Sequence, residues 1–90
     1  MGHFYDVDVY RHEDDDGGET WWGAEGGLEN NSVGVEFEPT QDLAELINGV
    51  HDETIAFRQK WPNLRVRWFE GRQPATDFLA AARAMGIALP

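Results

Sequence analysis

The side chains in this 90-residue sequence with the most chemistry to offer are its carboxylates, 17 Asp and Glu against 7 Lys and Arg. Asp8 on a first strand, Glu45 or Glu53 on a helix and Glu70 after a last strand are carboxylates of the type that hold the divalent ions of a two-metal nuclease. They form no convergent motif, and in so acidic a chain such placements arise by chance. The run Glu13-Asp14-Asp15-Asp16-Gly17-Gly18-Glu19 is rich in oxygen donors, but it does not set ligands, glycine and a closing Glu at the offsets of a calcium-binding loop. His3, His12 and His51 share no metal-ligand spacing, and the absence of Cys removes thiolate zinc sites and disulfides. No nucleophile stands beside a base in a recognisable motif. Gly17-Gly18 and Gly26-Gly27 lack the further glycines and the lysine of phosphate-binding loops. These residues predict a protein that binds rather than catalyses, with no metal and no cofactor.

What it binds is suggested by charge and by tryptophan. A net charge of −10 opposes direct nucleic-acid binding and suits a basic protein partner. The same acidity also serves solubility alone, and one lysine, Lys60, beside six arginines fits a compositional bias. Trp21 and Trp22 are adjacent in a strand-like segment and must face opposite sides, so one of them lies away from any helix that covers the sheet. An uncovered Trp on an acidic face is a natural interface anchor. The candidate partner-binding set is therefore Glu13, Asp14, Asp15, Asp16, Glu19, Trp21, Trp22, Glu36 and Glu38.

The elements that must position these residues follow from periodicity. In Phe4 to Tyr10, Tyr5, Val7 and Val9 alternate with Asp6 and Asp8, the pattern of a half-buried strand. The acidic run with its two glycines is a hairpin loop, and Trp21 to Glu25 a second strand. After a turn at Gly26-Gly27 and Asn30-Asn31, Val33, Val35 and Phe37 alternate with Gly34, Glu36 and Glu38 as a third. Pro39 is expected to stop that strand and Thr40 to cap a helix of about five turns. Its apolar stripe is Leu43, Leu46, Ile47, Val50, Thr54, Phe57 and Trp61, ended by Pro62. Leu64, Val66 and Trp68 alternate with Arg65 and Arg67 as a fourth strand. Glu70 to Gln73 reads as a hinge, and Pro74 to Met85 as a short helix stopped by Gly86. Phe78, Leu79, Ala82 and Met85 give that helix an apolar edge for a dimer or a partner.

Together these predict an α+β fold (β-β-β-α-β): a three-stranded antiparallel meander, a long helix, a fourth strand parallel to strand one, and a short C-terminal helix. The strand order three, two, one, four is expected from the single crossover and from Asp6 and Asp8 lying beside Arg65 and Arg67. Residues 1–70 form the α+β domain and 71–90 a hinge with the short helix. The aromatic strand Trp21-Trp22-Gly23-Ala24-Glu25, the turn Gly26-Gly27-Leu28 and the helix start Thr40-Gln41-Asp42-Leu43-Ala44-Glu45 resemble the HicB-like antitoxin family over about Phe4 to Phe69. The resemblance implies a partial RNase H-like fold and an antitoxin that masks a basic, RNA-cutting toxin. It departs from the family in lacking a Pro-Gly turn before strand three and room for a C-terminal helix-turn-helix. A phage-type mimic of nucleic acid and a divalent-metal nuclease are the alternatives. With no apolar segment long enough for a membrane, no leader-like N-terminus and no Cys, a cytoplasmic location is expected, and four Trp in so thin a domain predict a homodimer.

Overall fold

A computed structural model describes residues 4–13, 17–28 and 34–90. The elements run β1 (Phe4–Glu13), β2 (Thr20–Leu28), β3 (Gly34–Thr40), α1 (Leu43–Lys60), β4 (Arg65–Glu70), β5 (Gln73–Pro74) and α2 (Thr76–Ala84). They form one five-stranded sheet of order β3-β2-β1-β4-β5. β1 pairs antiparallel with β2 and parallel with β4, and β2 pairs antiparallel with β3. The α+β fold and the predicted strand order are thus present, with β5 added at one edge. No helix among the described residues is long and apolar enough to cross a membrane.

Alternation in β1 sets which way the sheet faces. Tyr5, Val7 and Val9 are fully buried, while Asp6 and Asp8 point to the other side. Leu46, Ile47, Val50 and Thr54 of α1 close over the first set, and the buried Thr54 hydroxyl donates to the Val50 carbonyl at 2.7 Å, so that burial leaves no orphan donor there. Gly49 faces the Phe37 ring, and a Cβ would sit 3.8 Å from it. That is ordinary contact distance, so close packing does not require this glycine and the residue is a local weakness of the helix.

Several expected boundaries are corrected: β1 runs on from Tyr10 to Glu13, and Gly26 and Gly27, expected in a turn, lie inside β2, paired with Val7 and Asp6 on one side and with Val35 and Gly34 on the other. β3 continues through Pro39 to Thr40, because an edge strand can hold a residue without an N–H. The cap of α1 is then Asp42, whose Oδ1 accepts from the backbone N–H of Ala44 and of Glu45 at 3.0 and 3.4 Å. Thr40 plays a supporting part: its hydroxyl accepts from the Asp42 N–H at 3.1 Å and donates to the Glu45 carboxylate at 3.2 Å. At the other end Trp61 leaves the helical region before Pro62, as the proline dictates.

The expected hinge at Glu70 to Gln73 is a tight hairpin between β4 and β5, with Gly71 at φ +65°. Pro74 therefore belongs to β5, and α2 starts at Thr76. Gly86, at φ +77°, does stop α2. Its N–H bonds the Arg83 carbonyl at 3.0 Å and that of Ile87 bonds Ala82 at 2.9 Å, a Schellman termination. α2 packs onto the chain's own core through Ala75, Phe78 and Ala82, with Phe78 stacked on Trp68 at 6.1 Å.

Tyr5 carries one unusual group. Its ring stacks on Phe57 at 4.7 Å and lies over Gly26, where a Cβ would come within 2.1 Å of the hydroxyl oxygen. That hydroxyl is buried with no hydrogen-bond partner among the described residues. Burial, helped by the negative charge of Glu53, pushes its pKa up from 10.0 to about 12. The folded chain holds a proton that the unfolded chain releases, so this contribution to stability is intact below pH 10 and is lost as the pH rises toward 12. The loss amounts to roughly 2 to 3 kcal/mol. Urea denaturation of Tyr5→Phe beside the parent across that range should show a shallower alkaline decline in the variant. Parallel declines would mean that the hydroxyl titrates freely.

Candidate protein-binding face

Both helices pack on the side of the sheet that carries Tyr5, Val7, Val9, Val66 and Trp68. Among the described residues the other side of the sheet carries no helix, and strand register orders its side chains into rows. One row runs Arg67, Asp6, Gly27, Gly34 across β4, β1, β2 and β3; the next runs Phe69, Asp8, Glu25, Glu36. Further along the β1–β2 hairpin, Tyr10 faces Gly23 and His12 faces Trp21.

The β4 end of this face is internally neutralised. Arg67 donates to both oxygens of Asp6, Nε to Oδ1 at 2.6 Å and Nη2 to Oδ2 at 2.8 Å, and its guanidinium lies 4.1 Å from the Phe4 ring centre and 5.9 Å from that of Phe69. Such a two-point pair is stronger than a simple surface contact, though partial exposure and solvent screening hold its worth to about 1 kcal/mol. The expected pairing of Asp6 and Asp8 with Arg65 and Arg67 is thus realised once. Parallel register sets Arg65 beside Phe4 and Asp8 beside Phe69, and Asp8 instead accepts the Gly71 N–H at 3.1 Å, bracing the β4–β5 turn.

Toward β3 the face is acidic. Asp8, Glu25 and Glu36 are exposed and stand in direct register across three strands, with Glu38 exposed further along β3. Gly27 and Gly34 leave bare backbone beside this row, and Asp6, Asp8, Glu25, Gly26, Gly27 and Leu28 line a shallow depression of about 360 Å³. At the far end Trp21 is 37% exposed. Gly23 makes room for Tyr10, since a Cβ there would fall 2.3 Å from the ring; the aromatic side chain covers the backbone that glycine leaves open.

Of the predicted site residues, the structure brings together Trp21, Glu36 and Glu38 on or beside this face. Trp22 points to the helix side, packs on the core and lies under Arg11, 5.5 Å from its ring centre. Glu13, exposed at the hairpin end, reaches Arg11 at 3.6 Å, and Glu19 is exposed beyond it. Asp14, Asp15 and Asp16 lie outside the described residues. Phe78 and Ala82 are inside the core and so are withdrawn from the apolar edge expected of α2. Leu79 is half-buried beside Trp68 and the segment Ile87 to Pro90, and Met85 is exposed. Comparison with protein-family models, curated proteins and solved structures found no match.

The carboxylates of the nuclease reading do not converge. Asp8 is on the helix-free side, whereas Glu45 and Glu53 belong to the helix on the opposite side, so the sheet stands between them. Among the described residues no three His, Asp or Glu side chains are grouped to hold a metal ion. Sequence reasoning missed Asp8 and Glu25 as members of the acidic face. Their alternation gave the side of the strand, but only the register of β1 on β2 and β2 on β3 puts them in one row with Glu36.

Proposed function

We propose that the protein is a non-catalytic binder that covers a basic surface of another protein with the helix-free face of its sheet, as an antitoxin or inhibitor does. One observation carries this reading: Asp8, Glu25 and Glu36 oppose one another directly across three strands. Like charges in directly opposed positions destabilise a sheet, by an amount on the order of 0.2 to 1 kcal/mol per pair. A partner that brings Lys or Arg onto the row relieves that repulsion on binding, while a phosphate backbone would add to it. The HicB-like resemblance of the strand, turn and helix-start segments supports an antitoxin among binders of this kind.

The direct test is capture from a lysate of the source organism on immobilised protein, beside the triple variant Asp8→Asn, Glu25→Gln, Glu36→Gln. Basic proteins should be held by the parent, be released at about 1 M salt, where the screening length falls to ~3 Å, and be lost from the triple variant. Equal retention by the two, with the triple variant folded by circular dichroism, would show that the row serves solvation only.

A further inference from the structure

The two edges of the sheet differ. Beyond β4 the edge is occupied in its C-terminal half by β5 and by the Ala75 N–H, which bonds the Trp68 carbonyl at 3.3 Å. Among the described residues β3, at the opposite edge, pairs only with β2, and no strand is hydrogen-bonded along its outer side. Alternate residues of such a strand turn both N–H and C=O away from the sheet, which makes the edge a template for another strand. β3 is seven residues long and contains no Lys. Pro39 removes one donor near its end, and the stretch in regular register is Gly34 to Phe37, with Glu38 next to it.

The occupant is selected by charge. Any strand added here sets alternate side chains beside Glu36 and Glu38 on the helix-free face, and the others beside the half-buried Val35 and Phe37. A second copy of β3 in antiparallel pairing would place carboxylates against carboxylates, in the register centred on Phe37 and in the one centred on Glu36 alike. Like pairs of that kind oppose association. Self-pairing is therefore disfavoured at an edge that a cationic strand would suit. We propose that β3 accepts, as a sixth strand, an extended segment of the partner protein that alternates basic with apolar residues. The inference rests on the proposed function, since it gives the same partner a second point of attachment, with main-chain hydrogen bonds for affinity and alternate side chains for specificity.

The probe is a short synthetic peptide of alternating arginine and valine. Controls are a block peptide of the same composition and two peptides N-methylated at the amides of the valines or of the arginines. An edge-bound strand uses one side of its backbone, so one methylated peptide should bind about tenfold more weakly or worse while the other binds like the parent. Amide exchange should slow in β3. Equal binding of all four peptides, binding without protection of β3, or no binding would each overturn the proposal. The two readings separate cleanly. If neutralising Asp8 and Glu25 abolishes capture of the natural partner but methylation does not matter, the face stands and the edge falls; the reverse pattern keeps the edge and removes the face.

Discussion

Phe78→Ala should destabilise the chain by about 3 to 5 kcal/mol, measured by urea denaturation, without first changing any self-association. Phe78 is 1% exposed and stacks on Trp68, whose indole N–H in turn donates to the Pro90 carbonyl at 2.9 Å. Removing the ring leaves a cavity beside Trp68 and loosens the packing that ties α2 to the sheet, to which Ala75 and Ala82 contribute much smaller side chains. A domain of this size has a total stability of about 5 to 13 kcal/mol at the usual contribution per residue, so the loss is a large share of the whole. The result discriminates between two roles for the C-terminal helix. A docking arm for a dimer or partner would tolerate the substitution in the isolated chain and lose only association. A variant of undiminished stability with altered association by light scattering would return α2 to that role.

The fold was legible wherever a period met a burial requirement. Tyr5, Val7 and Val9 had to share a side, and the stripe from Leu43 to Trp61 had to cover it. A single helical crossover with Asp6 and Arg67 then placed β4 beside β1. Boundaries were harder, for physical reasons. Pro39 looks like a stop, but at an edge its missing N–H faces no partner strand. Thr40 and Asp42 are both good caps, and the choice fell to Asp42 because Thr40 is still paired with Trp22. β5 is two residues long and has no period to read; its signal was the glycine of Glu70-Gly71-Arg72-Gln73, which the tight turn needs at positive φ. The acidic row was the least legible feature. Period gives the side of each strand, whereas the register that sets Glu25 opposite Glu36 is announced by no local pattern; the irregularity between Trp22 and Ala24 shifts only the Trp22–Thr40 pair beyond it.

Trp21→Ala should weaken binding of the captured partner by about 2 kcal/mol or more, roughly 30-fold, and chiefly by faster dissociation. The adjacent tryptophans provide their own control. Trp22 packs on the core, so Trp22→Ala should lower stability; Trp21 stands on the helix-free side beyond the acidic row, opposite His12, and its loss should leave the folded chain nearly as stable. Charge and ring then separate kinetically. Neutralising Asp8, Glu25 and Glu36 removes the field that steers a basic partner, so it should slow association and flatten the dependence of that rate on salt. Truncating Trp21 removes the apolar hold at the end of the face and should leave the salt dependence of association intact. Surface plasmon resonance across a salt series resolves both. A Trp21→Ala variant with an unchanged dissociation rate would mean that the partner seats on the carboxylates without reaching the hairpin, and the binding face would then end at Tyr10.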